Sequence, residues 1–237
     1  MSGQKAPLAW MKIAAVILSK NPGNLAASAG SVLALDPAVQ VYAVDDGLPK
    51  EGRDLAIRYL EGRKPFCFAK NANLGLWAAF YGGADCAILM NDDATLETPG
   101  GFSALADVAA SNGGLISPST DLRQLSSTIC NEARVLPFIT VAIPSSTWNI
   151  LGPLDERLIH YGWEDNDYCR RALAAGLTLG IFQGCQVRHG LLPSTFRPGN
   201  GAGDVAPNGR LYAEKWAGQL FPAEIAFMRA NGILVQP

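Results

Sequence analysis

The sequence predicts an α/β fold: a single domain whose mixed, mostly parallel sheet is flanked by helices. Three observations carry this. The chain has 237 residues with 49% hydrophobic content, enough for a core that needs neither disulfides nor metal to hold it. Its first half alternates short β-rich runs with helical patterns, which is the signature of crossover-connected parallel strands. Cys86 to Met90 is apolar at every position, as a strand covered on both faces must be.

Taken in order, Ile13 to Leu18 reads as the first strand. Asn24 can cap a helix of small residues running to Leu35 and stopped by Asp36-Pro37. Val39 to Val44 is a second strand ending in Asp45-Asp46-Gly47, and a polar loop with a helix around Asp54 to Leu60 comes next. A short strand is expected at Phe66 to Ala69, then a helix beginning near Asn73, then the apolar strand that runs into Asn91-Asp92-Asp93. Acids at the C-terminal end of such a strand lie where open α/β sheets bind ligands. The second half is less regular. It offers a strand at Leu115 to Ser117, a β-rich stretch from Val135 to Ile143 and a helix from Glu164 to about Ala175 closed by Gly176. A strand at Leu177 to Phe182 leads towards His189, and a helical pattern resumes from Arg210 to Trp216. Between Gly190 and Asn208 the Gly- and Pro-rich sequence has no periodicity and reads as a long mobile loop, a candidate lid.

Composition narrows the function. With 19 basic and 21 acidic residues, the chain lacks the electrostatic footprint of a nucleic-acid binder, although Arg123, Arg134, Arg170 and Arg171 keep a local basic surface open. The five cysteines, Cys67, Cys86, Cys130, Cys169 and Cys185, form no C-x-x-C pair and mostly sit in apolar runs, which fits a reducing, cytoplasmic setting. Ala14 to Leu18 is too short for a signal-peptide core or a membrane span, so no stable membrane insertion is expected.

Four groups of residues can carry chemistry, and each has a plainer reading. Asp92-Asp93 is either an acidic turn or a site for a hard cation such as Mg²⁺ or Mn²⁺, which takes oxygen ligands and bridges carboxylates to phosphates. Asp45 either closes a turn or accepts hydrogen bonds from a ligand's base or ribose. The acids Glu164, Asp165 and Asp167 either complement a helix dipole or include a base for an alcohol proton. His189 is either a packed residue or the nitrogen ligand of a mixed metal site, with Arg188 and Arg197 in reach of a diphosphate. After the first strand stands Ser19-Lys20-Asn21-Pro22-Gly23 in place of G-x-G-x-x-G, which disfavours a Rossmann dehydrogenase.

Together these segments resemble the family-2 glycosyltransferases of GT-A fold, in a rhamnosyltransferase-like bacterial or phage branch. The resemblance runs from about Lys12 to Trp216. It is carried by the order of Ile13 to Leu18, Val44-Asp45-Asp46-Gly47, Asn73-Leu74-Gly75 and Leu89-Met90-Asn91-Asp92-Asp93, followed by Leu151 to Glu156, Tyr161 to Arg171, Gly176 and His189. It implies a nucleotide-sugar-binding half over about residues 12–110 and an acceptor half over about 111–218. Asp45, Ser19, Asn73 and Asp92 would line the nucleotide pocket. The family's D-x-D motif falls on Asn91-Asp92-Asp93, with Asn replacing its first acid, so Asp93 and His189 would be the metal ligands. Asp165 would be the catalytic base, with Trp163, Glu164 and Asp167 on the acceptor.

The function so implied is a metal-dependent, inverting transfer from a UDP- or dTDP-sugar to an acceptor hydroxyl, with Mn²⁺ or Mg²⁺ as cofactor. Two alternatives keep the fold: a catalytically silent module that binds glycans or nucleotides, and a transferase acting on a hydroxylated base in DNA. A nucleotidyltransferase would need a Gly-rich basic loop after the first strand, which Ser19 to Gly23 does not supply.

Overall fold

The computed structural model describes residues 11–49, 55–120, 135–190 and 205–234. These form one eight-stranded sheet in the order β3-β2-β1-β4-β7-β6-β8-β5. The strands are β1 (Ile13–Ser19), β2 (Gln40–Asp45), β3 (Arg58–Glu61), β4 (Cys86–Asn91), β5 (Ala94–Leu96), β6 (Gly114–Thr120), β7 (Thr140–Pro144) and β8 (Thr178–His189). The first four in space run parallel; β7 turns antiparallel against β4 and β6, and β5 antiparallel against β8. The helices are α1 (Pro22–Leu35), α2 (Phe68–Tyr81), α3 (Gly101–Asn112), α4 (Ser145–Leu151), α5 (Glu164–Ala174), α6 (Val205–Lys215) and α7 (Pro222–Ala230).

The alternation of β1 divides the core between the two faces. Ile13, Ala15 and Ile17 pack with Leu25, Ala29 and Val32 of α1 and Phe102, Leu105 and Ala109 of α3. Ala14, Val16 and Leu18 pack on the opposite face with Leu76 of α2, Trp148 of α4 and Tyr168 and Ala172 of α5. Gly75 makes that second contact possible, because a Cβ there would stand 2.3 Å from Val16 Cγ1. A third, smaller cluster joins Leu158 and Trp163 to Tyr212, Ala213, Met228 and Ile233 of the C-terminal region. Among the described residues no helix is long and apolar enough to cross a membrane.

The predicted strands at the ends of which the acids sit are all present. Several local expectations are corrected. The cap of α1 is Asn21 rather than Asn24: its side chain accepts from the N–H groups of Gly23 and Asn24, and Pro22 takes the first turn. Within the expected helix of Asp54 to Leu60, residues 58–61 are instead strand β3, held by its parallel register with β2 from Tyr42↔Arg58 to Asp45↔Glu61; Asp54 lies outside the described residues. The expected strand at Phe66 to Ala69 gives way to helix α2, which starts at Phe68 because its N–H finds the carbonyl of His160 at 2.7 Å. Strand β8 continues to His189, past the Phe182 expected to end it, and β5, α3, α4 and α7 are additional.

Candidate active site at the strand ends

The parallel strands β2, β1 and β4 end side by side, in the registers Ser19↔Asp45 and Leu18↔Asn91, and so deliver the predicted polar residues to one crevice. Ser19 is fully buried. Its hydroxyl donates to Asp92 Oδ2 at 2.6 Å and accepts from Asn21 N at 3.1 Å, while its own carbonyl accepts from Asp46 N at 2.8 Å. Ser19 thus ties together the ends of three strands and the start of α1. Asp45 closes its turn by accepting from Gly47 N at 2.7 Å and Leu48 N at 2.6 Å, and Gly47 has φ +123°, a conformation that favours glycine. Asp46 points to Lys64, with Oδ1 2.8 Å from the ammonium; burial raises its pKa despite that partner.

Asp93 and His189 meet. Asp93 is almost wholly buried, and its Oδ1 stands 3.3 Å from His189 Nε2. The contact comes from strand pairing: β5 begins immediately after Asp93, and its Ala94 is in register with His189 at the end of β8. Among the described residues no three or more His, Cys, Asp or Glu side chains are arranged to hold a metal by themselves. One carboxylate and one imidazole are an oxygen and a nitrogen donor of the kinds that Mg²⁺ and Mn²⁺ accept.

The start of α5 supplies the carboxyl pair. Trp163 precedes it with φ +75°, and His160 adopts φ +54°, so the 160–163 segment turns sharply into the helix. Burial pushes the Asp165 carboxyl up to about 6, against the stabilising N–H groups of Asn166, Asp165 itself and Phe138; Asn166 N donates to Asp165 Oδ1 at 2.8 Å. Burial, and next the charge of Asp165, push Glu164 up to about 8, and its buried Oε2 has no hydrogen-bond partner among the described residues. The Tyr161 phenol is pushed up to about 12, first by desolvation and then by the charges of Glu164, Asp165 and Asp93. Tyr161 therefore lies within electrostatic reach of both Asp93 and the carboxyl pair.

The sharp turn before α5 is held by a residue from α6. Asn208 is 1% exposed, and its amide makes four hydrogen bonds to the turn: it accepts from Ile159 N at 3.0 Å and donates to the carbonyls of Ile159, Gly162 and Tyr161 at 2.7, 3.0 and 3.4 Å. Sequence reading missed this residue, which stands at the end of an aperiodic Gly- and Pro-rich stretch. Behind it, Arg170 of α5 is buried among Glu224 of α7, the Gln219 carbonyl and the Phe221 ring, 3.8 Å from the ring centroid.

No family model matches the chain, and no curated protein matches it. Among solved structures it is similar to GalNAc-T7 with UDP, GalNAc and Mn²⁺. The TM-score is 0.75, with 12% sequence identity, over 98% of this chain and 52% of that chain. The chain therefore spans about half the length of that neighbour. The likeness shows a GT-A-like fold.

Within this GT-A-like frame, some predicted site residues serve the scaffold. Asn73 has its amide filled by the second half of the chain: Oδ1 accepts from Leu154 N at 2.8 Å, and Nδ2 donates to the Leu154 carbonyl at 3.0 Å and to Glu156 Oε1 at 3.1 Å. Asp167 is 1% exposed and faces α6, bonding Arg171 Nε at 3.1 Å, Trp216 Nε1 at 2.9 Å and Lys215 Nζ at 2.8 Å. Two positions along a helix turn a side chain by roughly 200°, so Asp167 and Asp165 face nearly opposite ways. Trp163 is buried against Tyr212 and Phe227. Arg188 pairs with Glu97 at 2.9 Å, and Arg171 holds Asp167 and the carbonyls of Leu151 and Pro153. Arg123, Arg134, Arg197 and Cys130 lie outside the described residues, as do residues 191–204 of the loop expected from Gly190 to Asn208, whose last residues, 205–208, instead form the start of helix α6.

Proposed function

We propose that the chain is a metal-dependent, inverting glycosyltransferase that moves a sugar from a UDP- or dTDP-sugar to an acceptor hydroxyl. The observation that supports this best is the convergence of two sets of groups. The Asp93–His189 pair sits at the strand ends, Asp165 opens α5 with its carboxyl poised near 6, and the charges of Asp93 and Asp165 both act on the Tyr161 phenol. The GT-A-like fold, in a neighbour solved with UDP, GalNAc and Mn²⁺, agrees with it.

In this reading Asp45 and Ser19 receive the nucleoside, with Asp92 oriented by the Ser19 hydroxyl and Asn73 bracing the pocket from behind. Asp93 and His189 would hold Mn²⁺ or Mg²⁺, which when bound neutralises charge on the leaving diphosphate. Asp165 accepts the proton of the acceptor hydroxyl as that oxygen forms its bond to the anomeric carbon. The bond from that carbon to the diphosphate oxygen breaks with its electron pair, and configuration inverts. A carboxyl poised near 6 suits this role, because it is ionised at neutral pH yet still basic enough to take a proton. Glu164, buried and held protonated at neutral pH, and Trp163, packed on Tyr212 and Phe227, would shape the acceptor side from within the turn that leads into α5. Asp167 contributes to the acceptor site through the helix it anchors to α6.

The test is thermal unfolding with UDP, dTDP, GDP and CMP, each with and without Mn²⁺, and then turnover with the matching sugar nucleotides. A shift with one diphosphate only when metal is present, and release of that diphosphate on adding a hydroxyl acceptor, are expected. No shift with any nucleotide overturns the reading in favour of a silent glycan-binding module.

A further inference from the structure

Helix α2 buries one side against the sheet, and its other side carries a stripe of a different kind. Lys70, Leu74, Trp77 and Tyr81 stand at positions i, i+4, i+7 and i+11, so they follow one another along a single line of the helix. Trp77 is 44% exposed and Tyr81 is 85% exposed, with Leu74 partly buried beside them. These two rings alone present on the order of 300 Å² of surface, a size of exposed patch that is often functional.

The stripe is rigid. Trp148 of α4, itself buried, meets Trp77 edge-on with centroids 5.5 Å apart at 90° and packs on Phe80 at 5.4 Å. Trp77 in turn supports the Tyr81 ring at 5.7 Å. Tryptophan and tyrosine fixed in this way lose little freedom on association, which suits them to protein contacts. The stripe also runs away from the candidate active site. Helix α2 starts at the His160 carbonyl, beside the turn into α5, and Tyr81 lies at its other end, where the chain returns to begin β4.

Charge indicates what covers this face. From Asn71 to Ala84 the sequence has no charged residue; Lys70 stands at one end of that span and Asp85 at the other. Opposite signs at opposite ends make the stripe complementary to its own reversed copy. Two helices crossing antiparallel about Trp77 bring Lys70 of each towards Asp85 and the α2 C-terminus of the other, where a cation is favoured. The same crossing brings Tyr81 of each towards Leu74 of the other. With 19 basic and 21 acidic residues, two copies repel one another only weakly. An anionic membrane surface would call for a basic cluster, and the stripe has one lysine.

We propose that this face of α2 binds a second copy of the chain, in a two-fold dimer whose α2 helices cross antiparallel and whose candidate active sites both stay uncovered. The two rings form the centre of the contact. They supply over a third of the roughly 800 Å² that each partner brings to an interface of standard size, the polar rim supplying the rest.

The experiment is sedimentation velocity of the full chain over about 1 to 200 µM, the range that reads a weak to moderate dimer. Wild type is expected to pass from the 25.1 kDa monomer towards twice that mass as concentration rises. Tyr81→Glu changes a side chain that lies mostly in solvent and should weaken association at least tenfold. Lys70→Glu should weaken it too, and adding Asp85→Lys should restore it, because the pair of substitutions exchanges the two signs. Near-UV circular dichroism shows that each variant is folded. Wild type that stays monomeric throughout, or a dimer that Tyr81→Glu leaves intact, overturns the proposal. Binding of the monomer to phosphatidylcholine vesicles, lost in Tyr81→Glu, overturns it in favour of a lipid surface. Association weakened in Lys70→Glu and not recovered in the folded double variant overturns the antiparallel crossing.

Discussion

Nε2 of His189 stands 3.3 Å from Oδ1 of Asp93, because pairing of Ala94 with His189 brings the end of β8 to the end of the β4 turn. If the pair holds the cation, Asp93→Ala and His189→Ala should each remove the metal-dependent part of nucleotide binding. At about a hundred times its dissociation constant a ligand adds roughly 2.7 kcal/mol, about 5 to 10 °C in a domain of this size. Thermal unfolding with UDP and dTDP, with and without Mn²⁺, reads the loss directly. A metal-dependent shift that survives in both variants would move the cation elsewhere.

Asp165→Asn should keep that nucleotide-induced shift and lose transfer by about a hundredfold to ten-thousandfold. The pH profile depends on the same carboxyl. Held up to about 6 by burial, it is ionised above that pH and protonated below it. The wild-type kcat/KM should therefore fall about tenfold per pH unit on the acid side of about 6. An Asp165→Asn enzyme with near-normal turnover would take the base away from this position.

Glu164→Gln isolates a stability effect with a definite sign. The unfolded chain releases the Glu164 proton near 4.5, whereas the folded protein keeps it to about 8 because burial disfavours the charge. This group's contribution to stability therefore declines as pH rises from about 4.5 to about 8, and is constant beyond either end. Glutamine carries no such loss. Calorimetry at pH 4, 6 and 8 should show the variant's Tm advantage over wild type growing at each step, and a gap that is flat with pH would contradict the assignment.

Asn208→Ala removes four hydrogen bonds from the turn that aims α5. Leaving these part-buried carbonyls without their donor should cost on the order of 1 to 2 kcal/mol. Amide hydrogen exchange should quicken across residues 159–163, while the nucleotide-induced thermal shift is retained and transfer falls. Exchange at the turn that matches wild type would show that other contacts hold it.

The strand ends were legible because two rules act over short range. Apolar runs such as Cys86 to Met90 demand a buried strand, and parallel sheets gather the residues just past such strands at a shared edge. Ser19, Asp45, Asp92 and Asp93 are where those rules put them. The features that escaped were decided by partners distant in sequence. Arg58 to Glu61 carries a pattern compatible with helix, and pairing with β2 overrides it. The start of α2 is set by the His160 carbonyl, far along the chain. Asn73 and Asp167 are polar residues in family-like motifs, yet one joins the two halves through Leu154 and the other ties α5 to α6. No local signal separates such buried polar struts from residues that await a ligand. Asn208 was invisible for the same reason.

The pairing of β5 with β8 also governs how the margin of the sheet is held. β5 is the outermost strand and only three residues long, so it has little intrinsic hold on its neighbour. A cation gripped by Asp93 and His189 would act as a rivet at that seam, fastening the margin from the ligand side. Metal occupancy and the cohesion of the margin are then thermodynamically linked: whatever loosens one weakens the other. Chelation should consequently fray the amides of 94–96 and 187–189 before any other part of the sheet responds.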